Sequence, residues 1–140
     1  MKSNKQSAPE AHSDYLDAID KKIDAGKKYI ALLFFFEIAF IIIFGAITKG
    51  LNFLSLVLYI VFFVLLYKGK TVFRYILGIV FIFRVFTDLY TLLMGDFSAY
   101  SNKTVVLILL AVWMAFHILS AIVLLLSKNI EEYLYWRNNG

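Results

Sequence analysis

The sequence has no cysteine among its 140 residues, and only one proline and seven glycines. The lack of cysteine excludes disulfides, thiol nucleophiles and thiolate metal sites. Charged residues are also scarce, at 17%, whereas hydrophobic residues reach 61%, compared with about 45–50% in soluble domains. Because a water-soluble fold of this size could not hide so much apolar surface, the composition predicts a membrane protein.

Four long apolar runs organise the chain, at Tyr29–Ile47, Leu51–Leu66, Val72–Met94 and Thr104–Leu126. Crossing a bilayer core of about 30 Å takes about 20 apolar residues, with a lower limit of about 17. The third and fourth runs meet that length, and the first two lie nearer the limit. Short links make successive helices antiparallel neighbours. The sequence therefore predicts an all-α, polytopic membrane protein with an up-down bundle of four transmembrane helices.

The chain before the first run is polar, and only part of it has a packing pattern. Met1–Pro9 shows none and is expected to be disordered. Leu16, Ile19 and Ile23 then recur at helical spacing, which predicts a short amphipathic helix over residues 14–25. Such a helix could lie on lipid or dock against a partner helix, and the neighbouring lysines favour lipid.

Lysine and arginine are concentrated on one side of the predicted bundle. Eleven of the fourteen fall there, Lys49 and Lys103 fall on the other side, and Arg84 lies within a run. Because cytoplasmic loops collect lysine and arginine, both termini are expected to be cytoplasmic. A re-entrant second run would reverse the orientation of everything after it.

These features divide the chain into three parts. They are a cytoplasmic tail with the amphipathic helix at 1–27, a transmembrane domain at 28–128 and a cytoplasmic interfacial tail at 129–140. The fourth helix is expected to continue past the lipid after Leu126. Basic and aromatic side chains at headgroup level act as anchors, and the predicted membrane-interface residues are Lys27, Lys28, Lys68, Lys70, Arg74, Lys128, Trp136 and Arg137.

Ionisable side chains inside the apolar runs form the predicted functional site, because each costs about 2.5–3.5 kcal/mol on insertion scales. Glu37, Arg84 and His117 lie near the middle of the first, third and fourth runs, and Tyr59 lies near the middle of the second. Asp88 lies one turn beyond Arg84 on the same face. Since Arg84 stays charged, we expect it to bridge Asp88 and Glu37, while His117 and Tyr59 take the remaining hydrogen bonds.

Three roles could explain this polar layer. It could hold the helices together, form a path for a proton, ion or small molecule, or meet a charged residue of a partner membrane protein. No metal site is expected, because His12, the other histidine, lies in the tail. The chain lacks a hydrolase elbow, a P-loop, a zinc-protease motif and a dinucleotide fingerprint, so we expect neither an enzyme nor a cofactor.

The turn Tyr67-Lys68-Gly69-Lys70, followed by Arg74, resembles a junction in small uncharacterised four-span bacterial membrane proteins. Those proteins often carry Trp-Ala-Arg after the basic turn, where this chain has Thr71-Val72-Phe73-Arg74. The stretch from Leu126 to Leu134 is similar to their tails. The resemblance implies a multi-pass protein of the bacterial inner or plasma membrane, and it carries over no functional residues.

Two functional hypotheses follow. In the first, the protein is a non-catalytic binder that packs against another membrane protein or another copy of itself, as an accessory subunit or an immunity-type protein. In the second, it is a small oligomeric transporter or channel lined by Glu37, Arg84, Asp88 and His117. The basic residues sit at membrane edges, so lipid explains them better than nucleic acid does.

Overall fold

The computed structural model describes residues 8–139, which form five α-helices. They are α1 (Ala8–Thr48), α2 (Phe53–Tyr67), α3 (Val72–Met94), α4 (Lys103–Leu126) and α5 (Lys128–Asn139). Three of them, α1, α3 and α4, are long and apolar enough to cross a membrane, whereas α2 has 15 residues. The all-α prediction is confirmed, and the three long apolar helices are those expected of a membrane protein.

Helix α1 is one continuous helix of 41 residues, about 60 Å long at about 1.5 Å per residue. The separate amphipathic helix predicted over residues 14–25 is therefore wrong, because that segment runs directly into the first apolar run. Ala8 and Pro9 also belong to α1, which corrects the predicted disorder for those two residues. Residues 1–7 of that prediction lie outside the described residues.

The amphipathic part of α1 packs on α5, a helix of the same chain. Ile19 is buried and Ile23 contacts the cluster that contains Ile130 and Tyr133. Gly26 permits the close approach, since a Cβ there would lie 2.8 Å from the Cβ of Tyr133. The predicted preference for lipid is corrected, because protein covers much of this face.

Helices α1 to α4 contact one another in sequence, and α1 also contacts α4. The main buried cluster draws side chains from all five helices. Going from Lys27 to Phe34 along α1, the partner on α2 changes from Tyr67 back to Phe63. From Phe36 to Phe44, the partner on α4 changes from Phe116 back to Trp113. Helix α1 therefore runs antiparallel to both α2 and α4. This arrangement brings the apolar half of α1 and the central parts of α3 and α4 together around one buried region.

The turn between α2 and α3 takes its shape from Gly69. This residue has φ +93°, a conformation that glycine adopts at little cost, so the predicted role of Gly69 is confirmed. A Cβ at Gly69 would lie 3.0 Å from the Cβ of Arg137. The turn and the end of α5 are thus in contact, and Asn138 donates a hydrogen bond to Thr71 at 3.0 Å.

The buried side chain of Arg74, on α3, caps the C-terminal end of α4. Its Nε donates to the carbonyl of Leu124, and its Nη2 donates to the carbonyls of Leu125 at 3.0 Å and Ser127 at 3.2 Å. The last carbonyls of a helix have no partners within the helix, and a cation is favourable there. Arg74 therefore faces the carbonyls at the end of α4 rather than the surface, and its role as an anchor at the lipid interface stays a prediction.

The chain breaks between α4 and α5 at Ser127, so the predicted continuation of the fourth helix is also wrong. Ser127 leaves the helical conformation, with ψ 116°, and its hydroxyl accepts a hydrogen bond from the backbone N–H of Ile130 at 3.4 Å. A serine that caps a helix start satisfies one of the free N–H groups. The break lets α5 turn back onto α1.

We predict that Arg74→Met destabilises the protein by about 1.5–3 kcal/mol, the usual size for hydrogen bonds to a charged group. Methionine fills similar space but leaves the carbonyls of α4 without donors. Thermal unfolding in detergent, followed by circular dichroism, measures the loss. Lys70→Met, at an exposed position of the turn before α3, is the control and should melt like the parent protein. Equal melting of both variants would contradict the capping role.

Candidate functional site: a buried polar layer across three helices

His117 lies at the centre of the polar layer and joins two carboxylates. Its Nδ1 is 2.7 Å from Oδ2 of Asp88, and its Nε2 is 3.3 Å from Oε2 of Glu37. Glu37 and His117 are completely buried, and Asp88 is nearly so. Side chains from α1, α3 and α4 thus meet, and the α3 residue is Asp88 rather than Arg84, which was expected at the level of Glu37 and His117.

The two contacts of His117 determine how many protons Glu37, His117 and Asp88 share. Each nitrogen–oxygen pair needs one proton, and a neutral imidazole carries one N–H. The second proton therefore lies either on the ring, which becomes an imidazolium between two carboxylates, or on one of the acids. In either form Glu37, His117 and Asp88 together carry one negative charge.

Glu37 has a second partner that sequence reasoning missed. The indole Nε1 of Trp113 donates to Oε2 of Glu37 at 3.3 Å. Trp113 stands four residues before His117, which places both side chains on one face of α4. That spacing was the available signal, because a tryptophan N–H in a dry core needs an acceptor.

Arg84 takes a different place from the one predicted. Its Nε donates to the hydroxyl of Tyr59 at 3.3 Å, which joins α3 to α2. Among the described residues Arg84 forms no salt bridge with Asp88 or Glu37. The predicted bridge is therefore wrong, and His117 occupies that position. Arg84 still balances the layer, because its positive charge offsets the net negative charge of the three-residue group.

Aromatic rings enclose His117. Phe81 stacks on its ring with centroids 5.4 Å apart, while Trp113 lies at 5.3 Å and Phe116 at 6.2 Å. Low-polarity walls of this kind strengthen charge pairing, because they keep water away. The two carboxylates lie at opposite nitrogens of the ring, so they do not converge on one position where a metal ion could bind.

Ser120 is buried on α4, and its hydroxyl has no hydrogen-bond partner within residues 8–139. An unsatisfied buried hydroxyl is uncommon in folded proteins. Ser120 lies one turn from His117 on the same helix, yet its hydroxyl forms no hydrogen bond with any residue of the polar layer. A pairing of Ser120 with His117 as nucleophile and base is therefore absent from this arrangement.

The predicted membrane-interface residues gather at one end of the helices, and all but Arg74 are exposed. Lys27 lies over the ring of Tyr67 at 6.0 Å from its centroid, and Lys28 pairs with Asp24 at 2.6 Å. The other exposed members are Lys68, Lys70, Lys128, Trp136 and Arg137. Lys49 and Lys103 lie at the opposite end, so the charge asymmetry read from the sequence is present in three dimensions.

Tyr133 connects this charged end to the helical core. Its hydroxyl donates to the carbonyl of Tyr67 at 2.5 Å. Burial, with a smaller contribution from the nearby Tyr67 phenol, raises the pKa of Tyr133. The phenol therefore stays neutral and remains a donor throughout the physiological pH range.

The chain matches no protein-family model, and no curated protein or solved structure was found to be similar to it. Its function therefore has to be inferred from the geometry of the polar layer and of the exposed surfaces.

We predict that His117→Leu lowers the yield and the melting temperature much more than Arg84→Leu does. The first change removes the imidazole partner of the buried Asp88 carboxylate and leaves Glu37 with only the indole N–H of Trp113, and breaking a buried ion pair costs about 3–5 kcal/mol. The second removes one hydrogen bond and a positive charge, but that charge lies at a partly exposed position and contacts neither carboxylate. Expression level and thermal melting in detergent measure both effects.

The double variant His117→Leu/Asp88→Leu is the control for this prediction. It removes one of the stranded acids, so it should recover part of the loss caused by His117→Leu. If Arg84→Leu lowered the yield and melting temperature more than His117→Leu, the result would support the arrangement expected from the sequence, in which Arg84 bridges Asp88 and Glu37.

Proposed function

We propose that this chain is a four-span protein of the bacterial inner membrane, with both termini in the cytoplasm. In this proposal it acts without catalysis, by packing against a transmembrane helix of another membrane protein. The observation that carries the proposal is an open apolar groove of about 340 Å³ between α3 and α4. Its lining is entirely apolar, with Ile82, Val85 and Phe86 on α3 and Ile118, Ala121 and Ile122 among the residues on α4.

The shape of this groove supports a helix as its occupant. All lipid-facing surfaces of a membrane protein are apolar, so exposure alone does not mark an interface. Ala121 forms a low floor between larger side chains on both helices, and small residues let another helix approach closely. An apolar helix would gain van der Waals contacts along the groove that disordered acyl chains make less well.

Helix α2 is the fourth span in this proposal. Its 15 residues cover about 22 Å at about 1.5 Å per residue, which is short of a bilayer core of about 30 Å. Local thinning of the bilayer and extension of flanking side chains towards the headgroups accommodate such mismatch. Tyr67 and Lys68 at its end are side chains of that kind.

The distribution of basic residues supports the orientation. Nine of the described lysines and arginines belong to the end formed by the α2–α3 turn, α5 and the first half of α1, against Lys49 and Lys103 at the other end. Cytoplasmic loops collect lysine and arginine. With α2 as a span, this end and both termini face the cytoplasm.

Site-directed crosslinking tests the proposed binding groove. The natural chain has no cysteine, so Ile122→Cys provides a unique attachment point for a benzophenone maleimide in native membranes. Ile122 is 51% exposed in the groove, and Ile43 on α1 is 49% exposed on another face, which makes Ile43→Cys a matched control. We expect one defined adduct with a membrane protein from Ile122→Cys and none from Ile43→Cys.

Two results would count against this proposal. One is the absence of any protein adduct at Ile122 at native expression. The other is equal adduct formation at both positions, since that would indicate random collision in the bilayer. Mass spectrometry of the adduct separates a foreign partner from a second copy of this chain.

A second candidate function is a small oligomeric transporter, and the His117 group favours it. An imidazole hydrogen-bonded to acids at both nitrogens can accept a proton on one side and release one on the other. Ionisable residues within membrane spans often mark proton pathways. Four helices leave little room for a pore, so several copies would have to form the path.

Proteoliposome flux tests this second candidate. If the protein carries protons, Glu37→Gln and His117→Ala should each abolish a proton flux that the parent protein shows, because each removes a titratable member of the path. Arg84→Gln, which changes a residue outside the His117 group, serves as the comparison. Lack of flux in the parent protein, or unchanged flux in both test variants, rejects this function.

A further inference from the structure

A cleft of about 320 Å³ lies at the charged end, between α1, the end of α2 and α5. Its lining combines cations and aromatic rings, from Ile23, Lys27, Tyr67, Tyr133, Trp136 and Arg137. The volume lies at the lower end of the range for small-ligand sites, about 300–1,000 Å³. The cleft therefore has room for a compact polar group.

The charge of this cleft is positive. Within residues 8–139, neither Lys27 nor Arg137 forms a salt bridge with a carboxylate, whereas the adjacent Lys28 is paired with Asp24. The acids of α5, Glu131 and Glu132, line a different cleft with Lys128. An anion in the first cleft would therefore meet two cations with no competing carboxylate in its lining.

The geometry also positions both cations. The ammonium of Lys27 lies over the ring of Tyr67, while the alkyl part of Arg137 lies against Gly69. Tyr133 is already committed as a donor to the carbonyl of Tyr67. Because both side chains rest on protein surface, less conformational entropy is lost when they hold an anion.

An apolar groove begins beside this cleft and runs between α1 and α2. Its volume is also about 320 Å³, and its walls are Ile30, Ala31 and Phe34 on one side and Phe63 and Val64 on the other. Tyr67 lines both the cleft and the groove, and Lys68 lies at the groove's end. Phe34 follows Lys27 by seven residues, about 10 Å along α1. A charged site thus leads directly into an apolar one.

We propose that this cleft and groove together bind one anionic phospholipid of the cytoplasmic leaflet. The phosphate lies between Lys27 and Arg137, where the guanidinium can donate two parallel hydrogen bonds, and one acyl chain lies in the α1–α2 groove. Basic pockets between membrane helices bind such headgroups. A zwitterionic headgroup is disfavoured because its ammonium would face two cations, and Lys27 already covers the face of Tyr67.

This inference relies on the membrane placement given under the proposed function, but not on the α3–α4 groove or on a protein partner. Loss of lipid binding would leave the crosslinking at Ile122 unchanged, and loss of that crosslinking would leave lipid binding unchanged. The two proposals therefore fail separately.

Fluorescence quenching by brominated lipids tests the site. The protein is reconstituted in phosphatidylcholine bilayers that contain either brominated phosphatidylglycerol or brominated phosphatidylcholine. Trp136 in the cleft reports binding, and the buried Trp113 gives the same background in every variant. We expect phosphatidylglycerol to be preferred by about tenfold or more, given about 1 kcal/mol for each nearby cation and 1.4 kcal/mol for a factor of ten.

The variant Lys27→Gln/Arg137→Gln should lose this preference. The matched control, Lys22→Gln/Lys128→Gln, removes the same charge from exposed positions of the same two helices and should keep it. Equal quenching by the two lipids in the parent protein would overturn the proposal. So would an unchanged preference in the first variant, or an equal loss in the control, because general surface charge would then account for binding.

Discussion

The pairing of His117 with two carboxylates determines which faces of three helices meet. A carboxylate left alone in hydrocarbon is costly, and each ring nitrogen of His117 offers one position for an acid. Glu37 on α1 and Asp88 on α3 take these positions. Because the two nitrogens point in different directions, α1 and α3 are held on different sides of α4. Apolar packing alone is far less directional, so this polar group selects one arrangement among many.

Arg74 imposes a second constraint, at the charged end. Its guanidinium uses the free carbonyls of α4 rather than a carboxylate. The contact joins the start of α3 to the end of α4 and marks where α4 stops. The chain then turns at Ser127, and α5 lies along the first half of α1. The polar first half of α1, which precedes the first apolar run, is thereby packed against the C-terminal helix α5. The contact between α1 and α5 also forms the cleft lined by Lys27 and Arg137.

The meeting of Glu37 with His117 could be predicted from the sequence, but the direction of each polar side chain around its helix could not. Counting residues along the apolar runs correctly placed Glu37 and His117 at one level and gave the bounds of α3. The partner of Asp88 was wrongly predicted, since Arg84 is a long side chain that reaches across to Tyr59 on α2. The orientation of a helix about its own axis depends on packing over its whole length, and a run of similar apolar residues does not indicate which face is buried.

Hydrogen bonds from a side chain to backbone carbonyls could not be predicted from the sequence either. Arg74 stands beside two lysines in a basic turn, and all three look alike when lysines and arginines are counted. Only the Arg74 side chain points inward, where it binds backbone carbonyls. Because every residue has a carbonyl, the sequence does not mark these partners. The pairing of α1 with α5 was hidden for a related reason, because the amphipathic pattern of Ile19 and Ile23 suits a lipid surface and a helix equally well. Gly26 was the signal that favoured a helix, since a close approach of two backbones requires a residue without a side chain.

The packing around His117 favours a binding role over a transport role for a single copy of this chain. A transported proton needs a water or a titratable group at each step towards both surfaces. Here the rings of Phe81, Trp113 and Phe116 surround the imidazole, and Glu37 is fully buried. A His117 group enclosed in this way holds helices together well, and the proposed contact with another protein uses the apolar surfaces outside it. Transport would require those rings to move apart, which a second copy or a partner would have to drive.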